Sequence, residues 1–148
     1  LELCQKVIEL TEAQVKKNPE DENYSLIYLA FANRNISQIY KNLAELIPEK
    51  HDEYYELQKK YCKITYLNRK KLYEHYMTSS RSSSLTKDYI SHEYLLSLAE
   101  QHSFEESRIT KKEIERVAKD IYSKWKESNT VRNMIFNKVT EEGAGFLD

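Results

Sequence analysis

Arg69 and His75 bracket the run Arg69-Lys70-Lys71-Leu72-Tyr73-Glu74-His75. An arginine that holds the charge of a phosphorane and a histidine that carries a proton are the groups that cleavage of a phosphodiester requires. Lys59, Lys60, Lys63, Lys70 and Lys71 crowd the same stretch. At about 100° per residue on a helix, Lys59, Lys63 and Lys70 fall within about 40° of one another, with Lys60 and Lys71 on the adjoining strip. Tyr55, Tyr66 and Tyr73 border that strip. Lysines neutralise phosphates, and tyrosine rings stack on bases or settle at a lipid headgroup boundary. The strip therefore reads as a binder of an anionic ligand, whether RNA, DNA or a phosphoinositide headgroup.

The Arg-x5-His spacing loosely resembles the motif of HEPN ribonucleases, small helical bundles whose Arg and His cleave RNA at a dimer interface. The resemblance implies Arg69 and His75 as the catalytic pair. It covers only these residues, and Lys70 stands where that family usually has a small polar side chain. On a helix His75 also projects about 120° away from Arg69, onto the apolar face.

Other chemistries find no footing. Gly143 and Gly145 are the only glycines, so the phosphate-cradling loops and nucleophile elbows that need Gly are absent before them. His92-Glu93 opens like a zinc-binding H-E-x-x-H, but Leu96 occupies the second histidine position. None of the four histidines follows a glutamate at the i+3 spacing of di-iron bundles. Cys4 and Cys62 make no C-x-x-C and read as two buried thiols in a reducing, cytoplasmic compartment. No metal or cofactor is expected.

Long helices must position these groups. A chain of 148 residues with two glycines and two prolines lacks the turn residues a sheet demands. Hydrophobic residues at 40% and a net charge of −1 describe a chain that folds. Its apolar runs fall short of the ~20 residues that span a bilayer. The periodicity predicts an all-α fold, an irregular antiparallel bundle of five or six helices in a single domain over residues 1–148, cut from a longer protein. The first helix covers residues 1–17, with Leu3, Val7, Leu10 and Gln14 on its inner side and Cys4, Ile8 and Val15 beside them. It ends at Asn18-Pro19. The second, over 24–47, is apolar around more than half its girth and is expected at the centre. The third follows Pro48 to about residue 77, with Tyr54, Leu57, Tyr61, Ile64, Leu72 and His75 on one face. A Ser-rich linker is expected at 78–87 and a fourth helix over 86–101. Thr110 and Glu113 form a capping box before a fifth helix, whose stripe is Ile114, Val117, Ala118, Ile121 and Trp125. Ser128-Asn129-Thr130 caps a short sixth helix that Gly143 stops.

Charge is uneven along the chain. Residues 1–58 hold 6 basic and 11 acidic side chains, residues 59–90 hold 8 and 2, and the rest 9 and 11. Ile27 and Phe31 lie on the otherwise polar strip of the second helix, where either helix one or a loop covers them or they form an exposed contact for another protein. The reading that follows is a non-catalytic scaffold or adaptor module that binds another protein. The alternative is the anionic-ligand binder, and HEPN-like RNA cleavage comes third.

Overall fold

The computed structural model describes residues 1–78 and 84–147, with side chains through Glu127 apart from Asp21, Asn23, Tyr24, Ser84 and Leu85. Five helices follow one another: α1 (Glu2–Lys17), α2 (Glu22–Leu46), α3 (His51–Thr78), α4 (Ser84–Phe104) and α5 (Arg108–Leu147). Short 3-10 turns at Pro19–Asp21 and Pro48–Lys50 lead into α2 and α3. No strand occurs among the described residues.

The prolines set both of these corners. Each forces the residue before it out of the helical region: Asn18 has φ −133° and ψ 85°, Ile47 φ −125° and ψ 79°. Their amides still close the preceding helices, donating to Gln14 O at 2.8 Å and Leu43 O at 2.9 Å. Proline itself gives up no hydrogen bond, because a first-turn N–H has no partner within the helix.

The fold is the predicted all-α bundle, with α2 at its centre. It packs between α1 and α3 and touches both 3-10 turns, while α3 carries α4 on another side and α4 carries α5. Cross-helix bonds fix the antiparallel order. Lys71 near the end of α3 pairs with Glu22 at the start of α2, and Ser37 Oγ donates to Gln58 O at 3.1 Å. On the other side, Ser91 Oγ meets Met77 Sδ at 3.8 Å and Cys62 Sγ meets Glu100 Oε2 at 3.9 Å. The core joins four helices through Leu26, Leu72, Tyr73, Ile90, Tyr94, Leu98 and Val117.

Several expectations are corrected. Ser128-Asn129-Thr130 does not start a sixth helix, because α5 runs unbroken to Leu147 and takes Gly143 into its interior. Ser, Asn and Thr are weak helix formers rather than breakers, and one Gly costs only about 1 kcal/mol. The cap of α5 is Ser107 rather than Thr110: Ser107 Oγ accepts from the Thr110 amide at 3.0 Å. The Ser-rich linker shrinks as well, since α4 is already helical at Ser84, and residues 79–83 of that linker lie outside the described residues.

Faces shift too. Only α2 lies beneath α1, so a narrow strip of Cys4, Val7, Ile8, Thr11 and Val15 is half-buried, while Leu3 and Leu10 are 77% and 61% exposed. The deeply buried face of α3 is Cys62, Thr65, Arg69, Leu72 and Tyr73. Tyr54, Leu57, Tyr61 and Ile64 are half-buried and His75 is exposed. Two helices flank α3, and its most enclosed side is the seam between them. On α5, Ile114 and Ile121 pack against the core that holds buried Val117 and Ala118 is half-buried, but every described side chain from Tyr122 to Glu127 is exposed, Trp125 included.

Candidate functional site

The backbones of α2 and α4 both rest on α3 and stay apart from each other. The trough between them has one wall of Ile27, Ala30 and Phe31 from α2 and another of Tyr89, Ile90 and Glu93 from α4, over a floor of Arg69 and Leu72. Its enclosed volume is about 20 Å³, room for about one water. Phe31 and Tyr89 are 45% and 44% exposed, and Ile27 packs half-buried against the core. The two partner-binding candidates thus share one wall of one cleft.

Arg69 is a structural strut beneath that cleft. Its side chain is 4% exposed, with Nη2 2.6 Å from Glu93 Oε2. Nη1 donates to Ser97 Oγ at 2.7 Å and to the Glu93 carbonyl at 3.3 Å. Burial draws the guanidinium below its usual value and Glu93 opposes the shift. It stays charged because no accessible pH deprotonates arginine in a protein. His75, in contrast, is exposed and meets Tyr76 edge-on at 5.0 Å. The seven-residue motif is therefore split between a buried ion pair and the open surface.

The lysine strip is divided as well. Lys71 pairs with Glu22, and the charge of Lys70 is felt by Glu113 on α5. Lys60 Nζ stands 5.4 Å from the centre of the Tyr61 ring. Lys63 is exposed and Lys59 half-buried. Two of the bordering tyrosines turn inward onto α4, Tyr73 and Tyr66 lying 4.5 and 6.3 Å from Tyr94, while exposed Tyr55 lies 5.5 Å from Phe104. These rings already have partners within the fold.

A second polar group sits further along the α3–α4 seam. Arg34 reaches Glu100 at 3.6 Å, and burial followed by Glu100 pushes the Cys62 thiol up to about 11. Such a thiol is a poor nucleophile at neutral pH. Cys4, expected to be buried, is half-buried, and both cysteines are free. Among the described residues no group of three metal-binding side chains assembles, and no helix is long and apolar enough to cross a membrane.

Sequence reasoning missed Tyr89, Glu93 and Ser97. Their signal was a glutamate and a serine one turn apart on α4, complementary to an arginine in the inward register of α3. No protein-family model, curated protein or solved structure matches the chain.

Proposed function

We propose that this domain is a non-catalytic interaction module, of scaffold or adaptor type, that receives an apolar segment of a partner protein between α2 and α4. The observation that carries this reading is the pair of aromatic side chains, Phe31 and Tyr89, that stand nearly half-exposed on facing walls of one trough. Amphipathic segments dock into such grooves, and aromatic anchors dominate the energetics of interfaces. The Arg69–Glu93–Ser97 network underneath ties α3 to α4, so the trough is preformed and little ordering entropy opposes docking. The two free cysteines fit a reducing, cytoplasmic setting.

The test is crosslinking capture from cell extract by the parent domain, by Phe31→Asp and Tyr89→Asp, and by Asn35→Asp, a control at another exposed position of α2. Loss of the same crosslinked species in the two cleft variants, with helical circular dichroism unchanged, supports the reading. Equal capture by all four proteins overturns it.

A second reading keeps part of the lysine strip. Lys59, Lys60 and Lys63 have no carboxylate partner among the described residues. Three lysines on phosphates would give a plot of log affinity against log salt a slope of about −2 to −3. Titration of labelled single-stranded RNA at several salt concentrations measures it, and salt-independent binding excludes this reading.

A further inference from the structure

We propose that the domain forms a homodimer, in which the outer face of the α1–α2 hairpin packs on the same face of a second copy to make a four-helix bundle. The inference is independent of the trough between α2 and α4.

Two rows of side chains define that face. On α1, Leu3, Val7, Leu10 and Gln14 step alternately by four and three residues, the spacing of a seam that meets another helix. Gln5, Ile8, Glu9 and Glu12 turn toward α3, and at about 100° per residue the Leu3 row lies about 180° around α1 from them. On α2, Tyr28, Asn35 and Asn42 repeat every seven residues, with Ile39 and Leu46 each four residues beyond an asparagine. This row stands on the side of α2 opposite Ser37, which bonds to α3. Both rows therefore border the α1–α2 contact on the side away from α3, and no other described helix packs there. Leu3, Leu10 and Leu46 are 77%, 61% and 76% exposed, and Tyr28, Asn35 and Asn42 are exposed as well.

Three observations select a second copy as the occupant. No residue in either row is charged, although charged residues make up 32% of the chain. Depletion of charge marks the core of an interface, and an uncharged face can meet its own image across a two-fold axis without like-charge repulsion. The side chains of Asn35 and Asn42 have no hydrogen bond among the described residues. An amide both donates and accepts, so these groups can pair with amides of the other copy, and asparagine in such a seam fixes the register of two helices. The area also suffices. The rows run about 25 Å along two adjacent helices, a face about 20 Å wide, so two copies bury about 1,000 Å² in total, the size at which a specific interface becomes stable.

The experiment is sedimentation equilibrium of the full chain over the micromolar to millimolar range, with isotope-filtered NOEs between labelled and unlabelled copies. A concentration-dependent monomer–dimer equilibrium is expected, with NOEs between copies at Leu3, Leu10, Ile39 and Leu46. Leu10→Asp and Leu46→Asp, both at exposed positions, each raise the dimer Kd at least about tenfold with helical circular dichroism unchanged. Asn35→Asp, which brings a charge into the seam of both copies, also weakens the dimer, while Tyr89→Asp on α4 dimerises like the parent chain. A monomer at every concentration, or a dimer that Leu10→Asp and Leu46→Asp leave intact, overturns the interface. So does a monomer that sediments with phosphatidylcholine vesicles, a result that assigns the face to a lipid surface.

Discussion

Arg69 and Glu93 form one ion pair, yet replacing either partner by leucine has a different consequence. The guanidinium side chain is 4% exposed and the carboxylate side chain 26%. Glu93→Leu leaves a buried cation with only the Ser97 hydroxyl and the residue 93 carbonyl as acceptors. Orphaning a buried charge costs about 3–5 kcal/mol, and the two surviving hydrogen bonds place the loss at about 3 kcal/mol. Arg69→Leu instead leaves a carboxylate that can turn toward water, at a cost of about 1–2 kcal/mol. The double leucine variant removes both charges and loses about 1 kcal/mol, since apolar replacement of a buried pair is often close to neutral. Urea unfolding followed by circular dichroism measures the cycle. With a slope of about 2 kcal/mol/M, Glu93→Leu lowers the midpoint by about 1.5 M and Arg69→Leu by about half that. The expected coupling is about 3 kcal/mol. Equal losses in the two single variants, or a coupling under about 1 kcal/mol, refute the claim that differential burial governs this pair.

Alkaline pH should destabilise the protein through Cys62. Its folded thiol is pushed up to about 11, against about 8.5 for a free thiol. A value raised on folding gives stability that is fully present below about pH 8.5 and is lost as pH rises toward 11. Cys62→Val flattens that part of the stability profile relative to the parent, and an unchanged slope refutes the assignment. Iodoacetamide pulses read by mass spectrometry should label half-buried Cys4 well before Cys62. Leu98→Ala, at a side chain with 0% exposure, should cost about 3 kcal/mol and lower Tm by roughly 6–12 °C in a calorimetric scan. Ser107→Ala removes the acceptor for the Thr110 amide and should cost about 1 kcal/mol, read as a loss of about 2–4 °C in thermal melts.

Helix content was legible because it depends on local chemistry. Glycine is absent through residue 142, and the two prolines fall where two helices must end, so backbone sterics alone place those corners. The 3.6-residue pattern likewise identified α2 as a helix contacted from several sides. Helix ends without proline were less clear. Ser128-Asn129-Thr130 has the composition of a cap and yet lies inside α5, because weak propensities of a few tenths of a kcal/mol per residue do not stop a helix.

The candidate site was half legible. Ile27 and Phe31 stood out as apolar side chains on a polar strip, and that anomaly is local to α2. Tyr89, Glu93 and Ser97 did not, because a glutamate and a serine one turn apart on α4 gain meaning only once α3 brings Arg69 against them. The same limit explains Arg69. By sequence it belongs to a basic run beside His75, and only the approach of α4 turns it into a buried strut with a carboxylate at 2.6 Å. Of the tyrosines bordering the lysines, all exposed in an isolated helix, Tyr73 is buried and Tyr66 half-buried once Tyr94 meets them, while Tyr55 stays exposed beside Phe104. Periodicity along one helix fixes which residues share a face. Which face is buried, and whether a charge on it finds a partner, depends on other helices distant in sequence, and there the tertiary structure alone decides.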